Sequence, residues 1–230
     1  MAISKSLVAA VEAALIARAD PAKAGPMQAY MKSAMPFLGV QARDMRAACK
    51  EAFARVAIED EGTWRDTCLA LWRGARHREE RYAALELTGH RPYRVHWNLR
   101  AMPMFEEMIV DGAWWDYVDL VATARVGPIL ERHPAAMKAK MRAWSKGANM
   151  WKRRTSILCQ LKMKERTDRG LLYDCIEPSI ESKEFFLKKA IGWALRELAK
   201  TDPEEVRRYV EAHAARLSGL SKREALKHLG

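Results

Sequence analysis

The sequence WWDYVDLVATARVG occupies residues 114–127 and has the apolar spacing of an amphipathic helix. On a helix, Trp115 and Asp119 lie four residues apart and therefore share one face. The face of an indole attracts cations and a carboxylate carries a full negative charge, so the pair suits a cationic group. The same two residues also occur on ordinary helices, where Trp packs and an early Asp complements the helix dipole. The rest of the chain must therefore decide whether Trp115 and Asp119 form a functional site.

Two later segments have the same character, WKRRTSILCQLKMK at 151–164 and KKAIGWALRELAK at 188–200. Arg154 follows Trp115 by 39 residues, and Trp193 follows Arg154 by the same interval. A period near 40 residues is typical of HEAT or armadillo repeats with two helices per unit. Equivalent positions of stacked repeats line one surface, which predicts a row of these three residues on a concave face. The period does not extend cleanly upstream of about residue 100.

Helical periodicity runs through nearly the whole chain, and strand signals are almost absent. We predict an all-α protein, an α-solenoid of HEAT-like repeats with a concave basic face. It would form one domain over residues 1–230, with N-terminal helices to about residue 60 and the repeat array from about 61. The sequence also predicts five local features. These are helix breaks at Asp20-Pro21 and Gly25-Pro26, a helix end near Gly127-Pro128, a helix start at Asp202-Pro203, and a capping box of Ser221 with Glu224.

The chain has 40 Lys and Arg against 29 Asp and Glu, a formal charge of +11, which favours a polyanionic partner such as nucleic acid. Pro134 opens a strongly basic helix. The four cysteines form no CxxC pair, the six histidines show no metal spacing, and nucleotide-binding glycine motifs are absent. We therefore expect neither metal nor cofactor. Without an apolar run of membrane-spanning length or a signal peptide, we expect no membrane association and a cytoplasmic monomer, at the nucleoid when bound to DNA.

Four separated blocks make the sequence resemble the AlkD-type bacterial DNA alkylation-repair glycosylases, which carry HEAT-like repeats. The blocks cover the chain from about residue 27 to 200 in family order. They are AYMKSAMPFLGV at Ala29–Val40, WWDYVDLVA at Trp114–Ala122, NMWKRRTSILCQL at Asn149–Leu161 and FFLKKAIGWALREL at Phe185–Leu198. The segment from Arg91 to Pro103 matches no part of this pattern.

The resemblance implies excision of N3- and N7-alkylated purines, such as 3-methyladenine and 7-methylguanine, from duplex DNA in base excision repair. It implies that Asp119 is the catalytic carboxylate, that Trp115 and Trp193 flank the lesion, and that Arg154 contacts the DNA backbone. It also implies contact with the lesion's backbone and sugar without enclosure of a flipped base. Further DNA-binding candidates are Tyr30, Lys32, Arg153, Lys188 and Lys189.

Two other functions remain open from the sequence. A HEAT array can serve as a scaffold for a protein or an acidic peptide, with Trp115 and Trp193 as interface anchors. A relative of the family could also bind damaged DNA without cutting it. Binding to plain duplex DNA separates the scaffold from the other two, and release of free alkylated base separates the enzyme from the non-catalytic binder.

Overall fold

The computed structural model describes residues 2–229 and is helical throughout, with no β-strand among these residues. The all-α prediction is confirmed. The chain divides after His96 into two compact units. The division near residue 60 stays a prediction. Among residues 2–229, no helix is both long enough and apolar enough to cross a bilayer.

The first unit contains five α-helices followed by a short 3-10 helix. They are α1 (Lys5–Ile16), α2 (Pro21–Met31), α3 (Ala42–Arg55), α4 (Glu61–Gly74), α5 (Arg78–Gly89) and the 3-10 helix Arg91–His96. Apolar residues at helical spacing form the interface between them, and α3 packs against both α1 and α5.

A buried carboxylate orders the loop between α2 and α3. The side chain of Glu79 accepts hydrogen bonds from the backbone N–H groups of Leu38, Gly39 and Val40 at 2.9–3.0 Å. Three charge-assisted hydrogen bonds compensate for the burial of this carboxylate. Gly39 has a φ of +86°, and a side chain there would collide with the Asp20 carbonyl oxygen. The loop that follows Lys32 is therefore held in one conformation.

Within its described residues, 97–229, the second unit contains nine α-helices. They are α6 (Met102–Gly112), α7 (Trp115–Val121), α8 (Gly127–Arg132), α9 (Pro134–Lys146), α10 (Met150–Leu158), α11 (Arg169–Ile176), α12 (Phe185–Ala199), α13 (Pro203–Ala212) and α14 (Gly219–Ala225). A π-helical turn, Ala122–Val126, joins α7 to α8. Helix α10 packs against both α7 and α12, and α12 packs against α14. Three of the helices that carry the predicted site thus lie in contact in the order α7, α10, α12.

Local signals placed some helix ends correctly and missed others. The start at Asp202-Pro203 is confirmed, because the Asp202 carboxylate accepts a hydrogen bond from the backbone of Glu205 at 3.1 Å. The break at Asp20-Pro21 is confirmed, because α1 ends at Ile16 and the next helix begins only at Pro21. Asp20 caps α2 and Pro21 is its first residue, a position that needs no N–H. The second expected break, at Gly25-Pro26, is wrong, because α2 continues through both residues to Met31.

Two further predictions about helix ends are wrong. The chain does not leave helical geometry at Gly127-Pro128, because the preceding π-turn continues directly into α8. The first turn of α14 is capped by Ser218, whose hydroxyl accepts a hydrogen bond from the Ser221 backbone at 3.0 Å. Glu224 makes ion pairs with α12 in place of a capping contact.

Candidate active site

Asp119 and Arg154 form a two-pronged ion pair between α7 and α10. The Arg154 Nε donates to Asp119 Oδ1 and its Nη2 donates to Oδ2, both at 2.7 Å. Its Nη1 donates to the backbone carbonyl of Phe186 on α12. Arg154 is only 4% exposed, whereas the Asp119 side chain keeps 14% of its surface. Both side chains are therefore mostly buried, and the Asp119 side chain keeps more contact with solvent than the Arg154 side chain that holds it.

The surroundings of Asp119 have two opposing effects on the pKa of its carboxyl group. Burial raises the pKa of this carboxyl above the usual 3.8, and the neighbouring Asp116 carboxylate acts in the same direction. The hydrogen bonds and positive charge of Arg154 oppose that rise. The carboxylate has about four lone-pair positions, so the two that Arg154 occupies leave about two for water or a ligand.

The two predicted indoles lie on the helices that flank Arg154. Trp115 is the first residue of α7, one turn before Asp119, and is 37% exposed. Trp193 lies on α12 and is half-buried. It follows Phe186 by seven residues, and therefore lies two turns further along the same side of that helix. Both indoles thus stand on elements that Arg154 bonds directly.

An aromatic cluster, which was not predicted from the sequence, packs against the Arg154 side chain of this ion pair. The Phe186 ring lies 5.0 Å from Trp151 and 5.5 Å from Trp114, measured between ring centroids. The Arg154 guanidinium lies 5.8 Å from the same ring. The seven-residue interval between Phe186 and Trp193 was the signal in the sequence that could have pointed to this residue.

A π-turn and a glycine set the position of α7 against α10. The Thr123 hydroxyl donates to the backbone carbonyl of Asp119 at 2.8 Å within this turn. At Gly127, an added Cβ would lie 2.5 Å from the Cys159 carbonyl oxygen, just beyond the end of α10. This contact needs a glycine, and π-turns are frequent at functional sites. The same stretch of sequence therefore supplies the carboxylate and the close approach that aligns it.

The predicted DNA-binding side chains differ in their exposure and in whether they already have hydrogen-bond or ion-pair partners. Arg153 donates to the Ser179 hydroxyl at 3.1 Å and to the Pro178 carbonyl at 2.9 Å. Lys189 pairs with Glu224 at 2.8 Å. The half-buried Lys188 has no side-chain partner within residues 2–229. In the first unit, Tyr30 is 80% exposed and Lys32 ends α2 in a left-handed conformation, exposed to solvent.

DNA binding by these residues and by Arg154 stays a prediction. Three of the five N–H groups of the Arg154 guanidinium already have acceptors, and its side chain is only 5% exposed, so little of it is available to a phosphate. Within residues 2–229, no group of three or more His, Cys, Asp or Glu side chains is arranged to hold a metal ion.

The basic helix that begins at Pro134 is largely neutralised. Three of its cations form ion pairs with acidic residues of other elements: Lys138 with Asp168 at 2.7 Å, Lys140 with Glu106 at 3.8 Å, and Arg142 with Asp174 at 2.7 Å. The fourth, Lys146, is exposed. The run of positive charge in the sequence of α9 is therefore not a free basic surface in the fold.

Comparison with known proteins identifies the family. The family model of DNA alkylation repair enzymes matches residues 11–229. The chain belongs to this family. The chain is similar to a solved structure described as a predicted DNA alkylation repair enzyme from Enterococcus faecalis. It is 29% identical, with a TM-score of 0.83, and the match covers 93% of this chain and 97% of that chain. No match was found among the curated proteins.

These findings confirm the family resemblance and the helical-repeat fold. Membership of the DNA alkylation repair enzyme family supports a role in the repair of alkylated DNA and an enzymatic activity, with DNA as the partner.

Proposed function

We propose that this alkylation repair protein is a monofunctional DNA glycosylase that excises cationic N3- and N7-alkylated purines from duplex DNA. Its substrates would include 3-methyladenine and 7-methylguanine, and it would act as a cytoplasmic monomer without enclosing a flipped base. The observation that carries the proposal is the Asp119 carboxylate, which accepts two hydrogen bonds from Arg154 on a side chain that keeps 14% of its surface exposed. The exposed Trp115 lies one helical turn away on the same face.

The chemistry of the lesion fits such a site. Alkylation at N3 or N7 gives the purine a positive charge, so the base departs neutral and needs no general acid. The deoxyribose gains oxocarbenium character as the glycosidic bond stretches. A fixed carboxylate beside that sugar lowers the barrier electrostatically, and its remaining lone pairs can orient or deprotonate a water molecule.

In this proposal, the main role of Arg154 is to position the Asp119 carboxylate. Two parallel hydrogen bonds fix both oxygens of Asp119, so the carboxylate loses little freedom when the substrate binds. Trp115 and Trp193 would face the cationic nucleotide, and each cation–π contact would contribute about 0.5–2 kcal/mol.

Release of free base tests the proposal directly. The protein is incubated with methylated duplex DNA, and released bases are separated by chromatography. We expect 7-methylguanine and 3-methyladenine from the wild-type protein and almost none from an Asp119→Asn variant that still binds DNA. Equal release by this variant would remove Asp119 from the mechanism. Binding of the wild-type protein without any release would favour the non-catalytic DNA binder.

Substrate selectivity provides a second test. A site that relies on the positive charge of the leaving base should act poorly on neutral lesions. We expect uracil and 8-oxoguanine to be removed far more slowly than 7-methylguanine from otherwise identical duplexes. Removal of either at a similar rate would contradict the electrostatic mechanism.

A further inference from the structure

Helix α3 of the first unit carries three basic residues on its solvent-facing side. Arg43, Arg46 and Lys50 follow one another at intervals of three and four residues, the spacing that places side chains on one helix face. All three are exposed. The opposite side of α3 is the core-facing side, with Met45, Ala48, Cys49, Ala52 and Phe53 buried. We call Arg43, Arg46 and Lys50 the α3 stripe.

The positive charge of the α3 stripe is not compensated. None of its three side chains makes a hydrogen bond or an ion pair with any other residue in the range 2–229. The acidic residues of the same helix lie elsewhere: Asp44 is about 100° around the helix from Arg43, and Glu51 pairs with Arg18 at 2.6 Å. In α9, by contrast, three of the four cations pair with acidic residues of other elements, which makes α3 the stronger candidate for binding a polyanion.

The surface between the charges favours a polyanion over a protein. The exposed residues that share this face with the stripe are alanines, Ala47 and Ala54. Protein interfaces depend on buried aromatic or large apolar anchors, and this face of α3 offers none. The stripe spans about 10 Å along the helix axis, since each residue rises about 1.5 Å. Duplex DNA presents one negative charge per about 1.7 Å of its axis, which allows each long cationic side chain to find a phosphate.

We propose that the α3 stripe is a lesion-independent surface that binds the phosphate backbone of duplex DNA. It shares the partner of the proposed function, but it requires no excision chemistry. Because phosphates carry no base identity, this surface would bind undamaged and alkylated duplexes equally well. Its role would be to hold the protein on DNA whether or not a lesion is present.

The test is the salt dependence of binding to an undamaged, fluorescently labelled duplex, followed by anisotropy. Each phosphate contact adds about 0.9 to the slope of log affinity against log salt concentration. The full-length variant with Arg43, Arg46 and Lys50 all changed to alanine is expected to lose about 2–3 from that slope. A matched control changes Lys5, Lys146 and Lys162 to alanine, which removes the same charge from three exposed, unpaired lysines on other elements.

The control variant is expected to retain most of the wild-type slope. Equal losses in the two variants would overturn the proposal, because net charge alone would then explain the binding. A third variant, Arg43→Lys with Arg46→Lys, keeps the charges and should keep the slope. If this lysine variant lost as much of the slope as the alanine variant, the proposal would also be overturned. The assay uses undamaged DNA, so a protein without glycosylase activity would still give a clear result.

Discussion

Replacing Arg154 with methionine should destabilise the protein in a way that depends on Asp119. The substitution keeps a long apolar stem and removes the guanidinium that donates to both Asp119 oxygens and to the Phe186 carbonyl. Breaking a buried ion pair by removing one partner costs about 3–5 kcal/mol, because the other charge is left unpaired. Since the Asp119 side chain retains 14% exposure, and thus some hydration, we expect about 3 kcal/mol.

The stability that the Arg154→Met variant loses should depend on pH. Burial already raises the pKa of Asp119, and Arg154 is the group that opposes this rise. Without Arg154, the folded-state pKa lies further above the unfolded one. The loss of stability is therefore greatest at neutral pH and becomes smaller as the pH falls through the folded-state pKa, because the protonated carboxyl needs no partner.

Urea unfolding, followed by circular dichroism and tryptophan fluorescence, measures the effect at several pH values. The double variant Arg154→Met with Asp119→Asn serves as the control. It should be more stable at neutral pH than the Arg154→Met single variant, since no buried charge remains. A single variant within about 0.5 kcal/mol of the wild type at neutral pH, the range of ordinary surface changes, would refute the reasoning.

Three further predictions concern the same unit. Trp115→Ala should slow single-turnover excision of 7-methylguanine by about 2–30-fold, the equivalent of one cation–π contact, and an unchanged rate would exclude the indole from the transition state. As the pH is lowered, the excision rate should fall with a midpoint above pH 3.8, because burial raises the pKa of Asp119 and excision needs the ionised carboxylate. A midpoint at or below pH 3.8 would contradict this role. Gly127→Ala should lower the free energy of unfolding by about 1–3 kcal/mol, because its Cβ would lie 2.5 Å from the Cys159 carbonyl oxygen. Gly74→Ala, whose Cβ would meet nothing within 4 Å, is the control and should cause no loss in the same urea assay.

The helices and the spacing of the candidate site residues could be predicted from the sequence. Helical periodicity depends on residues three and four apart, and the cap at Asp202 depends on a contact to Glu205 within one turn. The interval of 39 residues assigned Trp115, Arg154 and Trp193 to separate helices, and these prove to be α7, α10 and α12. Each of these signals is contained in a short window or in a simple repeat.

The sequence by itself determined that the chain is helical, that it belongs with the alkylation repair proteins, and which residues are candidates for its chemistry. Only the tertiary structure decided which charges remain available. Arg154 is bound to Asp119, and three of the four cations of α9 form ion pairs, whereas the α3 stripe is unpaired within residues 2–229. The physical reason is that these ion pairs join residues 30 or more positions apart in the sequence. Such partners are set by helix packing, which local periodicity does not encode.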